Sequence, residues 1–414
     1  MRRRWLLVTI LFAALAPLPV DMALAQGSDE SATASPVESL PPPVDAVSAE
    51  HLLPDLTPRE REDPVMVLGE LRSAARVSPQ NAKDRLKLAQ GLYLIGDLDA
   101  AIEECRVAIK LKPDDAKAHL QLGVILMAKQ DWRAASSVLK EAIRLAPELP
   151  HAHYSLGSVQ YSSGNVKAAI QSYRQALELQ PHFPDARYRL ALLLKLTNRD
   201  QEAAQFMEEA AVGGLPQAQF FLGNAYKSGQ GVEKNLARAI FWWMRAVEFG
   251  HQSAADALSK LRRQALSSDQ ADRRRRETLD AFRDYRAKLW DDFPDYNRTD
   301  DNETLGTALL KQNRADHAVS VLLKECYALS DIAQAELATL YEAGWNQQLP
   351  PFDKNILACF ETTATEGFFP ARKILARIYS KGLGVEPDLQ KAKVILKGLS
   401  KQEMQSVLDA AGVQ

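Results

Sequence analysis

Cysteine is scarce in this sequence, with three residues in 414: Cys105, Cys326 and Cys359. So few exclude a disulfide-framework domain, and an odd number leaves at least one thiol unpaired even in an oxidising compartment. Catalytic signatures are absent too. There is no H-E-x-x-H, no G-x-S-x-G, no C-x-x-C and no glycine-rich phosphate loop after a strand pattern. The pairs Gly229/Gly231 and Gly382/Gly384 lack a third glycine and follow helical patterns, so they read as turns. His151 and His153 are the one closely spaced histidine pair, and on a helix they point about 200° apart, which leaves no chelating metal site. An enzyme, a metal and a cofactor are therefore not expected.

Charge of one sign is also missing. The formal charge is −2, a poor basis for holding polyanions, so no nucleic-acid partner is expected. Long apolar runs are confined to the N-terminus, where Arg2-Arg3-Arg4 precedes an apolar stretch from Trp5 to Ala16, Pro17 and Pro19 break it, and Ala23-Leu24-Ala25 follows. A basic start, a short apolar core and an A-x-A site predict a signal peptide over 1–25, cut after Ala25. The stretch is too short for a membrane span of ~20 residues. The expectation is export to a periplasm, or secretion in a eukaryotic setting, with no integral membrane span after cleavage. Removing three Arg and one Asp with 1–25 would take the formal charge to −4.

Residues 26–63 hold six prolines and nine acids against two bases, which predicts a disordered, acidic, Pro-rich tether. A period then appears. Pro79, Pro113, Pro147 and Pro181 lie 34 residues apart, as do Ala74, Ala108, Ala142, Ala176 and Ala210, and as do Ala101, Ala135, Ala169 and Ala203. Three registers of one period announce tandem structural units. Small residues allow two antiparallel helices to approach, large apolar residues fill the seam, and the proline ends the second helix.

With Leu122-Gly123, Asp131-Trp132, Ala135, Ala142 and Pro147 in one unit, the pattern resembles the tetratricopeptide repeat. Four units are read at 82–115, 116–149, 150–183 and 184–217, after a lone second helix near 65–77. From Leu222-Gly223 the spacing lengthens through Tyr226, Gly229, Gly231-Val232, Trp242-Trp243, Ala246 and Gly250, which resembles a Sel1-like repeat over 218–262. Leu337-Ala338, Tyr341 and Gly344, then Leu375-Ala376, Tyr379, Gly382 and Gly384-Val385, resemble two more. Ahead of them, Leu305-Gly306, Asn313, Ala318 and Leu322 resemble a further tetratricopeptide unit, with Glu325 where a small residue belongs. Together these fill 303–400, leaving 401–414 as a tail. The expected fold is all-α: an α-solenoid of stacked helix-turn-helix repeats, in one array or two.

Between the arrays, 263–302 reads as a charged, aromatic helical linker. Its stretch Asp269 to Arg298 has eight bases and eight acids around Phe282, Tyr285, Trp290, Phe293 and Tyr296. A solvated helix with i, i+4 pairs such as Asp272/Arg276 is expected, its rings free to dock on an array or a partner. Cys105 reads as a buried small hydrophobe. Two separate core thiols are the simpler reading of Cys326 and Cys359, 33 residues apart, and a disulfide the other.

The resemblance also implies a concave wall built from fixed first-helix positions. Those positions are Lys83, Leu86, Gln90 and Tyr93 in the first unit and Lys117, Leu120, Val124 and Met127 in the second. They continue with His151, Tyr154, Ser158 and Tyr161 in the third, and Asp185, Tyr188, Leu192 and Lys195 in the fourth. Tyrosyl and apolar groups dominate, the chemistry of binding hot spots. Position nine has no Asn, so a clamp for a C-terminal carboxylate is not implied. A protein or peptide ligand in this groove is the expected partner, the plainer alternative being that these groups pack on the tether or a neighbouring helix. The second functional class is a structural component of a cell-envelope assembly, such as a polysaccharide-export or secretion complex.

Overall fold

Each 34-residue unit carries its own start and stop signals. Asn81, Asp97, Asp115, Asp131 and Asn165 accept hydrogen bonds from backbone N–H groups two or three residues on, each capping a helix. Pro150, Pro184 and Pro216 occupy the first turn of theirs, where a missing N–H costs nothing. At Gly96, Gln130, Gly164 and Asn198, again 34 residues apart, φ is 83°, 63°, 78° and 58°. The same left-handed residue thus reverses the chain between the two helices of every unit.

The computed structural model describes residues 64–267, 272–293, 296, 304–345 and 349–397. The signal segment 1–25, the tether 26–63 and the tail 401–414 lie outside them. Helix α1 (Pro64–Val77) stands ahead of four pairs. These are α2 (Ala82–Leu94) with α3 (Leu98–Leu111), α4 (Ala116–Ala128) with α5 (Trp132–Leu145), α6 (Pro150–Ser162) with α7 (Val166–Leu179), and α8 (Pro184–Leu196) with α9 (Asp200–Val212). Then come α10 (Pro216–Ser228) with α11 (Leu236–Glu248), and α12 (Gln252–Ala265) with α13 (Arg273–Lys288), which ends in a 3-10 turn at Leu289–Asp292. The last helices are α14 (Leu305–Lys311), α15 (Ala315–Tyr327), α16 (Asp331–Ala343), α17 (Lys354–Thr365), α18 (Phe369–Lys381) and α19 (Leu389–Ile395). Among the described residues there is no sheet, only an isolated bridge between Trp345 and Leu349. The fold is an all-α solenoid of stacked helical pairs.

One small-to-large exchange recurs through the pairs. A Cβ on Gly123 would stand 2.6 Å from Leu139, and one on Gly157 2.9 Å from Tyr173. The equivalent atom on Gly223 would stand 2.4 Å from Trp243, and on Gly306 2.2 Å from Leu322. The bare glycine backbone therefore seats the large side chain of its partner helix. In the first pair the equivalent positions hold Ala89 and the small Cys105, both fully buried, and burial pushes the thiol pKa up. The longer turn of the α10–α11 pair brings Gly231 against the backbone of Asp200, where a Cβ would lie 2.2 Å from its carbonyl oxygen. At φ 72°, glycine is needed there on both counts.

The segment after α12 is not a solvated linker. Helix α13 buries Phe282 and Tyr285, in one core with Trp242, Trp243, Leu305, Leu309 and Val321. Its ion pairs are Arg273 with Glu277 and Asp280 with Arg283, while Asp272 caps the helix through the Arg274 N–H instead of pairing with Arg276. Arg262 on α12 is buried and paired with buried Glu366, 104 residues on, and it also donates to the Tyr327 carbonyl. Lys324 pairs with Glu248 at 2.8 Å. The pairs before and after α13 thus share one continuous core. Cys326 of α15 and Cys359 of α17 are joined by a disulfide, their Cα atoms 6.8 Å apart, which overturns the reading of two separate thiols. Stacking successive second helices puts residues one repeat apart within bridging range.

Candidate functional site

Helices α2, α4, α6 and α8 lie in succession as the first helices of their pairs, and the sixteen positions of the expected wall all fall on them. Their exposure divides them. Lys83 and Lys117 are exposed, and Tyr93, His151, Tyr161, Asp185 and Lys195 are half-buried. Leu86, Gln90, Leu120, Val124, Met127, Tyr154, Ser158, Tyr188 and Leu192 are buried.

Some of that burial has a visible cause between neighbouring helices. Gln90 donates from Nε2 to Gln121 Oε1 at 3.1 Å, and Gln121 in turn donates to the Leu86 carbonyl at 2.9 Å, stitching α2 to α4. Ser158 lies 3.0 Å from the Tyr173 hydroxyl and so turns toward the second helix of its own pair. The Tyr154 ring sits 5.6 Å from Tyr173 and 5.0 Å from Phe183, while His151 packs on Phe183 at 5.1 Å. These contacts set the floor of the wall. The half-buried and exposed residues form its open part.

Burial raises the Tyr93 and Tyr161 hydroxyl pKa values, and at Tyr161 the nearby Arg189 guanidinium acts against it. The Lys195 ammonium rests 4.3 Å from the centroid of Phe221, on the next first helix. Arg189, Phe183 and Phe221 were not singled out in the sequence. Phe183 precedes its helix, and Phe221 lies beyond the fourth unit, where the period changes. The one signal for Arg189 is its place one turn before Leu192 and Leu193, on a helix otherwise rich in leucine.

Elsewhere, a shallow depression of about 940 Å³ beside α5 is lined by Trp132, Arg133, Lys140 and Arg144 among others. Among the described residues no three of His, Cys, Asp or Glu gather as metal ligands would, and no helix is long and apolar enough to cross a membrane.

Comparison with known proteins follows this geometry. Tetratricopeptide repeat models match residues 120–182 and 160–211, a TPR repeat model matches 89–130, and the Sel1 repeat model matches 216–251 and 371–394. No curated protein matches the chain's sequence. Among solved structures, a crystal structure of MamA is 25% identical over 39% of this chain and 95% of its own, with a TM-score of 0.35. YrrB, titled a TPR protein with an unusual peptide-binding site, is 21% identical over 45% of this chain and 96% of its own, at 0.35. PilF of Pseudomonas aeruginosa is 19% identical over 51% of this chain and 98% of its own, at 0.43. The chain is thus built of tetratricopeptide repeats over 89–211 and carries Sel1 repeats at 216–251 and 371–394.

Proposed function

We propose that the protein is an exported, non-catalytic scaffold that holds a protein or peptide segment along the first-helix wall of its tetratricopeptide repeats. The observation that carries this is the wall itself. Tyr93 on α2, His151 and Tyr161 on α6, and Lys195 on α8 stand half-open above a floor locked by Gln90, Gln121, Ser158 and Tyr154. Half-open tyrosines offer large apolar area with a hydroxyl for a backbone, at a small cost in side-chain entropy. The Cys326–Cys359 disulfide supports export, since structural disulfides persist in oxidising compartments.

The test is affinity capture from periplasmic extract, comparing the mature chain with a Tyr93→Glu/Tyr161→Glu variant whose helicity is first verified by circular dichroism. These two tyrosines suit the test because a charge at buried Tyr154 or Tyr188 would attack folding instead. A partner held by the parent and released by the variant is the expected result. Equal recovery by both would sink the groove reading, and recovery only as part of a membrane-sedimenting complex would favour the envelope-assembly class.

A further inference from the structure

The depression beside α5 lies outside the first-helix wall, since its lining comes from that second helix and from the turns that hold Gln130 and Ser163. Its chemistry follows from helical spacing. Arg133, Ser136, Ser137 and Lys140 stand at i, i+3, i+4 and i+7, so two turns of α5 set both hydroxyls between the two cations on one face. The cations are ~10 Å apart along the axis, and both carry long flexible arms. Arg133, Ser137 and Lys140 are exposed and Ser136 is half-buried. Among the described residues neither cation has an ion-pair partner and neither hydroxyl a hydrogen-bond partner. Ser158, Ser162 and Ser163 of the next unit, by contrast, turn back on the carbonyl four residues earlier. The acids of the depression are already engaged. Glu141 accepts from Arg144 at 2.8 and 2.6 Å, and Asp131 caps α5 through the Ala134 N–H at 3.0 Å.

The neighbouring second helices lack this set. One repeat earlier, on α3, the places of Arg133 and Ser137 hold Asp99 and Glu103, and Arg106, at the place of Lys140, pairs with Glu103 at 2.7 Å. One repeat later, on α7, the places of Ser136 and Ser137 hold Ile170 and Gln171, and Arg174, at the place of Lys140, pairs with Glu202 at 2.5 Å. A requirement of packing would recur with the period, and this set does not.

We propose that Arg133, Ser136, Ser137 and Lys140 bind a phosphate monoester whose larger body occupies the rest of the depression beside Trp132. A carboxylate has two oxygens to satisfy, whereas a phosphate monoester has three and a charge near −2, which matches two hydroxyl donors and two cations. The guanidinium offers its planar fork to two of the oxygens, and the ammonium acts as a point charge. At about 940 Å³ the depression exceeds such a group alone and falls within the ~300–1,000 Å³ of small-molecule sites. The same chemistry serves a soluble ester or a lipid headgroup at a membrane surface. This site goes beyond the scaffold reading and does not depend on the first-helix wall.

Isothermal titration calorimetry on the whole mature chain tests the site with glucose 6-phosphate, against glucose as the neutral control. Sedimentation with phosphatidylcholine vesicles, with and without phosphatidic acid, tests the headgroup. The expected result is binding of at least one of the two phosphate monoesters and of neither control, weakening as salt rises. Arg133→Gln/Lys140→Gln, at exposed positions and with its helicity verified by circular dichroism, is expected to bind at least about tenfold more weakly. Arg106→Gln/Lys110→Gln on α3 removes the same charge and is expected to leave the affinity unchanged. Binding of the soluble ester alone assigns a soluble ligand, and binding of the phosphatidic acid vesicles alone assigns a membrane surface. No binding of either, parent-like binding by Arg133→Gln/Lys140→Gln, or equal weakening by the two double variants overturns the proposal. None of these substitutions touches Tyr93 or Tyr161, so the groove reading stands or falls separately by its capture experiment.

Discussion

Glu325 occupies a second-helix position that holds alanine in the first four repeats, at Ala108, Ala142, Ala176 and Ala210. It fits because its partner helix, α14, is only seven residues long and begins at Leu305, so free N–H groups of its first turn lie over the carboxylate. Oε1 accepts from the Leu305 N–H at 3.3 Å, whereas Oε2 has no partner among the described residues, and the side chain is 3% exposed. Burial pushes its pKa up to about 7 and Glu336 adds to the rise. The N–H groups of Leu305 and Gly306, with Arg286, pull the other way.

A folded pKa above the unfolded value of 4.5 means that the native state holds the proton more tightly. The stability this contributes is complete below pH 4.5 and is lost as pH rises through 7. Relative to a permanently neutral side chain, the carboxyl costs about 1 kcal/mol at pH 5 and about 3 kcal/mol at pH 8. Glu325→Gln keeps the shape and an acceptor for Leu305. It should therefore gain about 2 kcal/mol over the parent on going from pH 5 to pH 8. Because stability in a repeat array is local, the readout is amide hydrogen exchange of α14 and α15 at matched pH values, corrected for intrinsic rates. A gain that is equal at both pH values, or a variant weaker than the parent at pH 8, would refute the reasoning.

Two further substitutions test the packing. Ala135→Arg places a charge at a fully buried small position between α4 and α5, and should cost about 3–5 kcal/mol in urea unfolding; a parent-like midpoint would show that the helices do not approach there. Arg262→Ala strands Glu366 in the core that joins the two parts of the solenoid, a loss of about 3–5 kcal/mol, most of which Arg262→Met with Glu366→Leu should restore. Equal stability of the single and double variants would contradict a desolvated pair.

The solenoid was legible because its constraints are written as repeats. Alanine, glycine and proline recur where helices touch or stop, and Cys105 is the buried small side chain its place in the repeat implies. Legibility fades where the cause is tertiary. Residues 263–302 carry balanced charge and no period, so the sequence offered docking of Phe282 and Tyr285 on an array only beside a partner helix, and it took tertiary contacts to show that they face a shared core. The buried state of Gln90 and Ser158 depends on partners on adjacent helices, Gln121 and Tyr173, which residue spacing alone does not indicate. The disulfide needed a distance that only stacking supplies.

That disulfide also bears on how the molecule comes apart. A linear stack loses its repeats from the ends inward, like a zipper whose last teeth open first. With Cys326 and Cys359 tied, α16 and its neighbours lie inside a closed covalent loop. Opening that begins at α19 can run inward to α17 but cannot carry the chain away from α15. In the oxidised protein the C-terminal end of the stack therefore re-zips from a fixed anchor, whereas the α1 end carries no such tie among the described residues.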